Sequence, residues 1–75
     1  METIRKSYLV DKSSISYIRW IAESYDGMVI VTTIDPSEAI IEFKIAPGCE
    51  SLVNELVNSL RVDEKIKLNP IQYPS

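Results

Sequence analysis

Nucleophilic and general-base chemistry has few places to sit in this chain. Its single cysteine, Cys49, follows Pro47-Gly48 at the expected start of a helix, where free amides lower a thiol pKa and make it reactive. The adjacent Glu50 opposes that effect, and the chain contains no histidine to act as a base. Cys49 therefore reads as a small residue at a helix cap. Asp11, Asp26 and Asp35 all fall at expected element ends, where capping and turn formation account for them. Asp26 and Glu23 could form an acidic pair, but acid–base work needs a shared or buried pocket to separate two pKa values. Nothing in their spacing demands one. No loop gathers the oxygen ligands that calcium or magnesium requires, and there is no phosphate-cradling loop. The expectation is a protein that is not an enzyme, with no catalytic residue, no metal and no cofactor.

Binding residues are easier to nominate. Asp11, Ser13 and Ser14 bring oxygen side chains to a helix N-terminus, where they suit hydrogen bonding to a small ligand. Trp20 projects among polar helix positions, between Ser16 and Ser24, with Tyr17 nearby. Aromatics placed this way often anchor a partner protein. The competing reading is that Trp20 packs under the C-terminal segment Ile71-Gln72-Tyr73-Pro74, which would explain why that segment keeps two large side chains.

The elements that must position these residues follow from periodicity. Lys6 to Asp11 alternates as a short strand. A helix is expected from about Ser14 to Tyr25, with Ile15, Ile18, Ile21, Ala22 and Tyr25 on one face and Asp26-Gly27 ending it. Met28 to Ile34 is dense in β-branched residues and apolar on both faces, as an interior or well-covered strand would be. Asp35-Pro36-Ser37-Glu38 has the pattern of a type I turn, and Ala39 to Ile45 completes a hairpin with Ile40, Glu42 and Lys44 turned away from the core. A second helix is expected from Glu50 to Val62, carrying Leu52, Val53, Leu56, Val57 and Leu60 as its stripe. Lys65 to Asn69 alternates as a fourth, polar strand, and residues 70–75 read as a loose tail behind Pro70.

Strand, helix, strand, strand, helix, strand is the split βαβ order. It implies an α+β, ferredoxin-like βαββαβ sandwich with a four-stranded antiparallel sheet and two helices on one face. Strands two and four are then the edges. Lys65 and Lys67 protect the fourth, whereas 28–34 carries no charge. A bare apolar edge is most simply covered by a second copy, so a homodimer through strand 28–34 is expected, with Val29, Val31 and Ile40 adding an apolar interaction patch.

Composition agrees with one small domain over residues 1–75. Apolar residues make up 45% and charged residues 25%, as in an ordinary folded domain. For this length a stability of roughly 4–11 kcal/mol is expected. The net charge of −3 and scattered basic residues argue against nucleic acid as a partner. No apolar run approaches the roughly 20 residues of a membrane span. The N-terminus lacks a signal-peptide core, and the expected location is cytoplasmic.

With the element order in place, the chain resembles the ACT-type regulatory domains, βαββαβ modules that often pair side by side and bind amino acids at the interface. The resemblance rests on topology, on length and on Val10-Asp11 leading directly into the first helix. Such domains carry a Pro-Gly turn after that aspartate, whereas this chain has Lys12-Ser13-Ser14, so their binding residues do not carry over. The run from Ile18 to Asp35, with Glu23-Ser24-Tyr25-Asp26-Gly27 ahead of the apolar strand and Asp35-Pro36 closing it, is similar to a family of small stand-alone bacterial proteins of unknown function. The resemblances imply a dimeric ligand-binding or regulatory module. A protein-interaction adaptor, docking a larger partner through an edge strand and Trp20, is the alternative.

Overall fold

The computed structural model describes residues 4–72. Its elements run β1 (Ile4–Leu9), a 3-10 turn (Lys12–Ser14), α1 (Ile15–Glu23), β2 (Val29–Asp35), β3 (Ile40–Ile45), α2 (Glu50–Val62) and β4 (Asn69–Ile71). The four strands form one sheet in the order β2-β3-β1-β4, every neighbouring pair antiparallel. This is the ferredoxin-like α+β arrangement expected from the element order.

The core lies between one face of the sheet and the two helices. Phe43, Ile41 and Ile45 of β3 are fully buried together with Ile18 of α1 and Val53 of α2. Register aligns Phe43 with Val31 on one side and Lys6 on the other, and Ile41 with Tyr8. Tyr8 and Phe43 meet with ring centroids 5.3 Å apart at 60°, a favourable tilted packing for aromatic quadrupoles. Lys6 shares this face by reaching past the core edge, where its Nζ donates to Asn54 of α2 at 3.4 Å.

Several boundaries differ from the sequence reading, the first strand among them: it spans Ile4–Leu9 where Lys6 to Asp11 was expected. The first helix closes at Glu23 instead of Tyr25, and a left-handed pair follows, Asp26 at φ 52° and Gly27 at φ 85°. A Cβ on Gly27 would meet nothing within 4 Å, so its backbone angle and not space is what calls for glycine. Ala39, expected in a strand, has φ 58° and belongs to the β2–β3 turn; its carbonyl accepts the Val10 N–H at 2.9 Å. That turn is held by Asp35, whose Oδ1 accepts from the Ser37 and Glu38 amides and the Ser37 hydroxyl.

The largest correction concerns the fourth strand. Of the expected Lys65–Asn69 strand, residues 65–68 do not pair. Lys65 has φ 55° and the Ile66 N–H returns to the Leu60 carbonyl, so this stretch is spent turning away from α2. Leu68 drops into the core, and pairing with β1 begins only at Asn69, opposite Leu9. Pro70 and Ile71, expected in the loose tail, are therefore strand residues; residues 73–75 of that tail lie outside the described residues. An outer strand accommodates Pro70 because its missing N–H can face away from β1.

Lys65 is exposed and non-glycine in a left-handed conformation. Lys65→Gly should raise unfolding stability by about 0.5–1 kcal/mol in urea titrations, relief of the left-handed conformation outweighing the extra chain entropy. Phe43→Ala should lower it by about 3–5 kcal/mol, most of the expected total.

Candidate functional site

The residues nominated from sequence come to three separate places. At the start of α1, Asp11 and Ser13 are exposed and Ser14 is half-buried. Neither Asp11 nor Ser14 caps the turn with its side chain; the Asp11 carbonyl accepts the Ser14 amide at 2.9 Å instead. Their oxygens are thus not consumed by the helix end, contrary to the capping role expected of Asp11.

The second place is the free edge of β2. Val29 and Val31 are not on an outer patch: they are 3% and 9% exposed and pack under the helices. The residue that turns outward is Ile30, at 57% exposure. Because β2 is apolar on both faces, its sequence could not choose between these parities; pairing with β3 does. The same register decides where the peptide groups point. Met28 gives its carbonyl to the Ala46 N–H at 3.0 Å, toward β3. Alternation then aims Ile30 and Thr32 at β3 and leaves the N–H and C=O groups of Val29, Val31 and Thr33 on the open edge. Their side chains are core, but their backbone is the exposed part. Ile40, expected among the outward residues, lies on the sheet face opposite the helices, in register with Leu9 and Asp35, but is buried there at 8% exposure.

A groove of about 320 Å³ runs beside this edge, walled by Arg19 and Glu23 of α1, by Asp26, and by Val29, Ile30 and Val31. The helix thus overhangs β2 with one flank that carries both signs of charge. Its other flank is tied to the end of α2, where the Tyr17 hydroxyl donates to Glu64 at 3.0 Å. That hydrogen bond, before the smaller effects of burial and of the carboxylate charge, raises the Tyr17 pKa.

The third place lies on top of α1. Tyr17 and Trp20 are brought together, their ring centroids 6.1 Å apart, and Trp20 is 66% exposed. Packing of Trp20 beneath the C-terminal segment is therefore not what the described residues show: Ile71 is in β4, against Ser7 of β1. A second groove of about 310 Å³ adjoins Trp20, bounded by Ile21, Glu23 and Ser24.

Two contacts had no signal in the sequence. Arg61 stacks over Tyr8 at 5.9 Å and donates through Nε to the Leu68 carbonyl at 3.0 Å and again through its NH2 group. Glu42 is buried on the sheet face opposite the helices, in register with Thr32 and Ser7. Burial raises the Tyr8 pKa, and the Arg61 charge partly offsets it. Cys49 is a half-buried free thiol at the N-cap of α2, the packing role expected for it. Among the described residues no three potential ligands gather to hold a metal, and no helix is long and apolar enough to cross a membrane.

Fold and surface together define a small ferredoxin-like α+β domain that, among the described residues, leaves the β2 edge without a strand partner and the Tyr17–Trp20 pair exposed. The chain belongs to the family described as domain of unknown function DUF4911, whose sequence model matches residues 8–63. No curated protein and no solved structure matches it.

Asp35 supplies a pH test of the turn that ends β2. The Ser37 hydroxyl and the Glu38 and Ser37 amides hold its pKa below the ordinary 3.8. A depressed folded pKa contributes stability that is complete above 3.8 and disappears as pH falls through the folded value. The stability advantage of the native chain over Asp35→Asn should therefore be present at neutral pH and be lost at a pH well below 3.8. Equal differences in urea midpoint at both pH values would contradict this.

Proposed function

We propose that this chain is a non-catalytic, ACT-like binding or regulatory module of the cytoplasm that functions as a homodimer through β2. The observation that carries the reading is the edge of β2: seven residues without a charge from 28 to 34, with the peptide groups of Val29, Val31 and Thr33 turned away from β3 and unpaired among the described residues. Such an edge is complementary to itself. A two-fold axis at Val31 pairs Val31 with its copy and Val29 with Thr33 of the copy, extending the sheet to eight strands. It also sets the two α1 helices antiparallel across the junction. Arg19 and Glu23 on the overhanging flank then face their opposites in the second copy, so the charges favour the same axis.

Asp11, Ser13 and Ser14, whose side chains are not used to cap the helix, are the contacts we assign to a small-molecule ligand. The second reading, an adaptor that docks a larger partner through an edge strand and Trp20, draws its support from the exposure of Trp20.

In the dimer, Ile30 of one copy lies across from Thr32 of the other, and both side chains are exposed in the single chain. Ile30→Lys with Thr32→Lys sets like charges opposite each other in both directions. Native mass spectrometry should give a dimer for the native chain and a monomer for this double variant, with melting changed by no more than about 0.5 kcal/mol. The same spectra report any small molecule that the dimer retains. A native chain that is strictly monomeric at high micromolar concentration overturns the proposal.

A further inference from the structure

We infer that the Tyr17–Trp20 face of α1 is a docking site for a cationic side chain, arginine above all, presented by a basic segment of a partner protein. The inference rests on the adaptor reading of Trp20 and goes beyond it by naming the chemistry that the partner must bring.

Trp20 is 66% exposed, and its neighbour Tyr17 is 37% exposed. The two rings are 6.1 Å apart with planes at 34°, so they form a splayed platform and not a closed stack. The Tyr17 hydroxyl donates to Glu64, 47 residues away in the loop after α2, which ties the ring to a second element. A groove of about 310 Å³, enough for one long side chain, opens beside the indole with Glu23 in its wall.

The charges around the platform select the occupant. A carboxylate stands at each end, Glu23 beside Trp20 and Glu64 beyond Tyr17. The faces of indole and phenol rings carry negative potential and attract cations within about 6 Å, with tryptophan the strongest of the aromatic side chains. A planar guanidinium can stack on the indole while its N–H groups reach a carboxylate, which an ammonium does less well. Among the described residues no cation of the chain stacks on this platform: the cation–π contact is Arg61 over Tyr8, and Arg19 lines the groove along β2. The net charge of −3 favours approach of a basic segment.

Trp20 is the chain's single tryptophan, so its fluorescence reports this site alone. The probe is an unstructured peptide of alternating arginine and glycine, compared with the same peptide carrying neutral citrulline for arginine. The arginine peptide should produce a saturable, salt-sensitive change, and the citrulline peptide should bind at least about tenfold more weakly. Glu23→Gln with Glu64→Gln, which keeps an acceptor for the Tyr17 hydroxyl while removing both charges, should weaken arginine binding several-fold without changing the melting temperature. Equal binding of the two peptides would overturn the cationic requirement and leave the adaptor reading standing. Binding of neither at millimolar concentration would overturn both. If Trp20→Ala instead converts a dimer to a monomer and neither peptide binds, the platform is covered by a second copy and the inference fails.

Discussion

The register between β2 and β3 is the constraint on which the rest of the structure depends. Setting Val29 against Ile45 and Val31 against Phe43 turns both valines into the core. In an antiparallel pair a residue's side-chain face and its hydrogen-bonding direction are fixed together. The valines that complete the core are therefore the residues whose peptide groups point away from β3. Moving the register by one residue would put Ile30 in the core and exchange the open and satisfied amides at once. Core packing and the chemistry of the edge are thus a single choice, and the core decides it.

Helix α1 distributes what surrounds that edge. Ile18 and Ala22 bind it to the sheet, leaving three other directions. One flank brings Arg19 and Glu23 over β2. The opposite flank anchors Tyr17 to the loop after α2 through Glu64. The outermost direction is left to Trp20, which stays 66% exposed. The edge and the aromatic platform are consequently separate surfaces on one short helix–strand unit, sharing only Glu23, which borders both grooves. A dimer formed at β2 would leave Trp20 accessible while drawing on the same Glu23 carboxylate as the platform, so self-association and partner docking would be coupled through that residue.

Much of the architecture was legible because helical periodicity in Leu52–Leu60 and the charge-free run at 28–34 each have one dominant reading. The failures share a cause: they occur where local pattern is degenerate and distant pairing decides. Val29 and Val31 could not be distinguished from Ile30 in a strand apolar on both sides. Lys65–Asn69 alternates as a strand would, yet the left-handed turn at Lys65 and the burial of Leu68 delay pairing until Asn69. The type I turn pattern at Asp35-Pro36 correctly marked the hairpin, although the left-handed Ala39 lengthens it by one residue. For the site, Trp20 was visible as a misfit on its helical wheel, whereas its surroundings were not. The Tyr17–Glu64 bond joins residues 47 apart, a relation that no local signal carries.

Amide hydrogen exchange along β2, read residue by residue at high protein concentration, addresses the central claim most directly. In a single chain the Ile30 and Thr32 amides are bonded to β3, while those of Val29, Val31 and Thr33 face solvent. Pairing of two β2 edges predicts slow exchange at all five positions, with protection of Val29, Val31 and Thr33 lost on dilution. Rapid exchange at those three, alternating with protection at Ile30 and Thr32 at every concentration, would mean that the edge stays open and that the dimer does not form there.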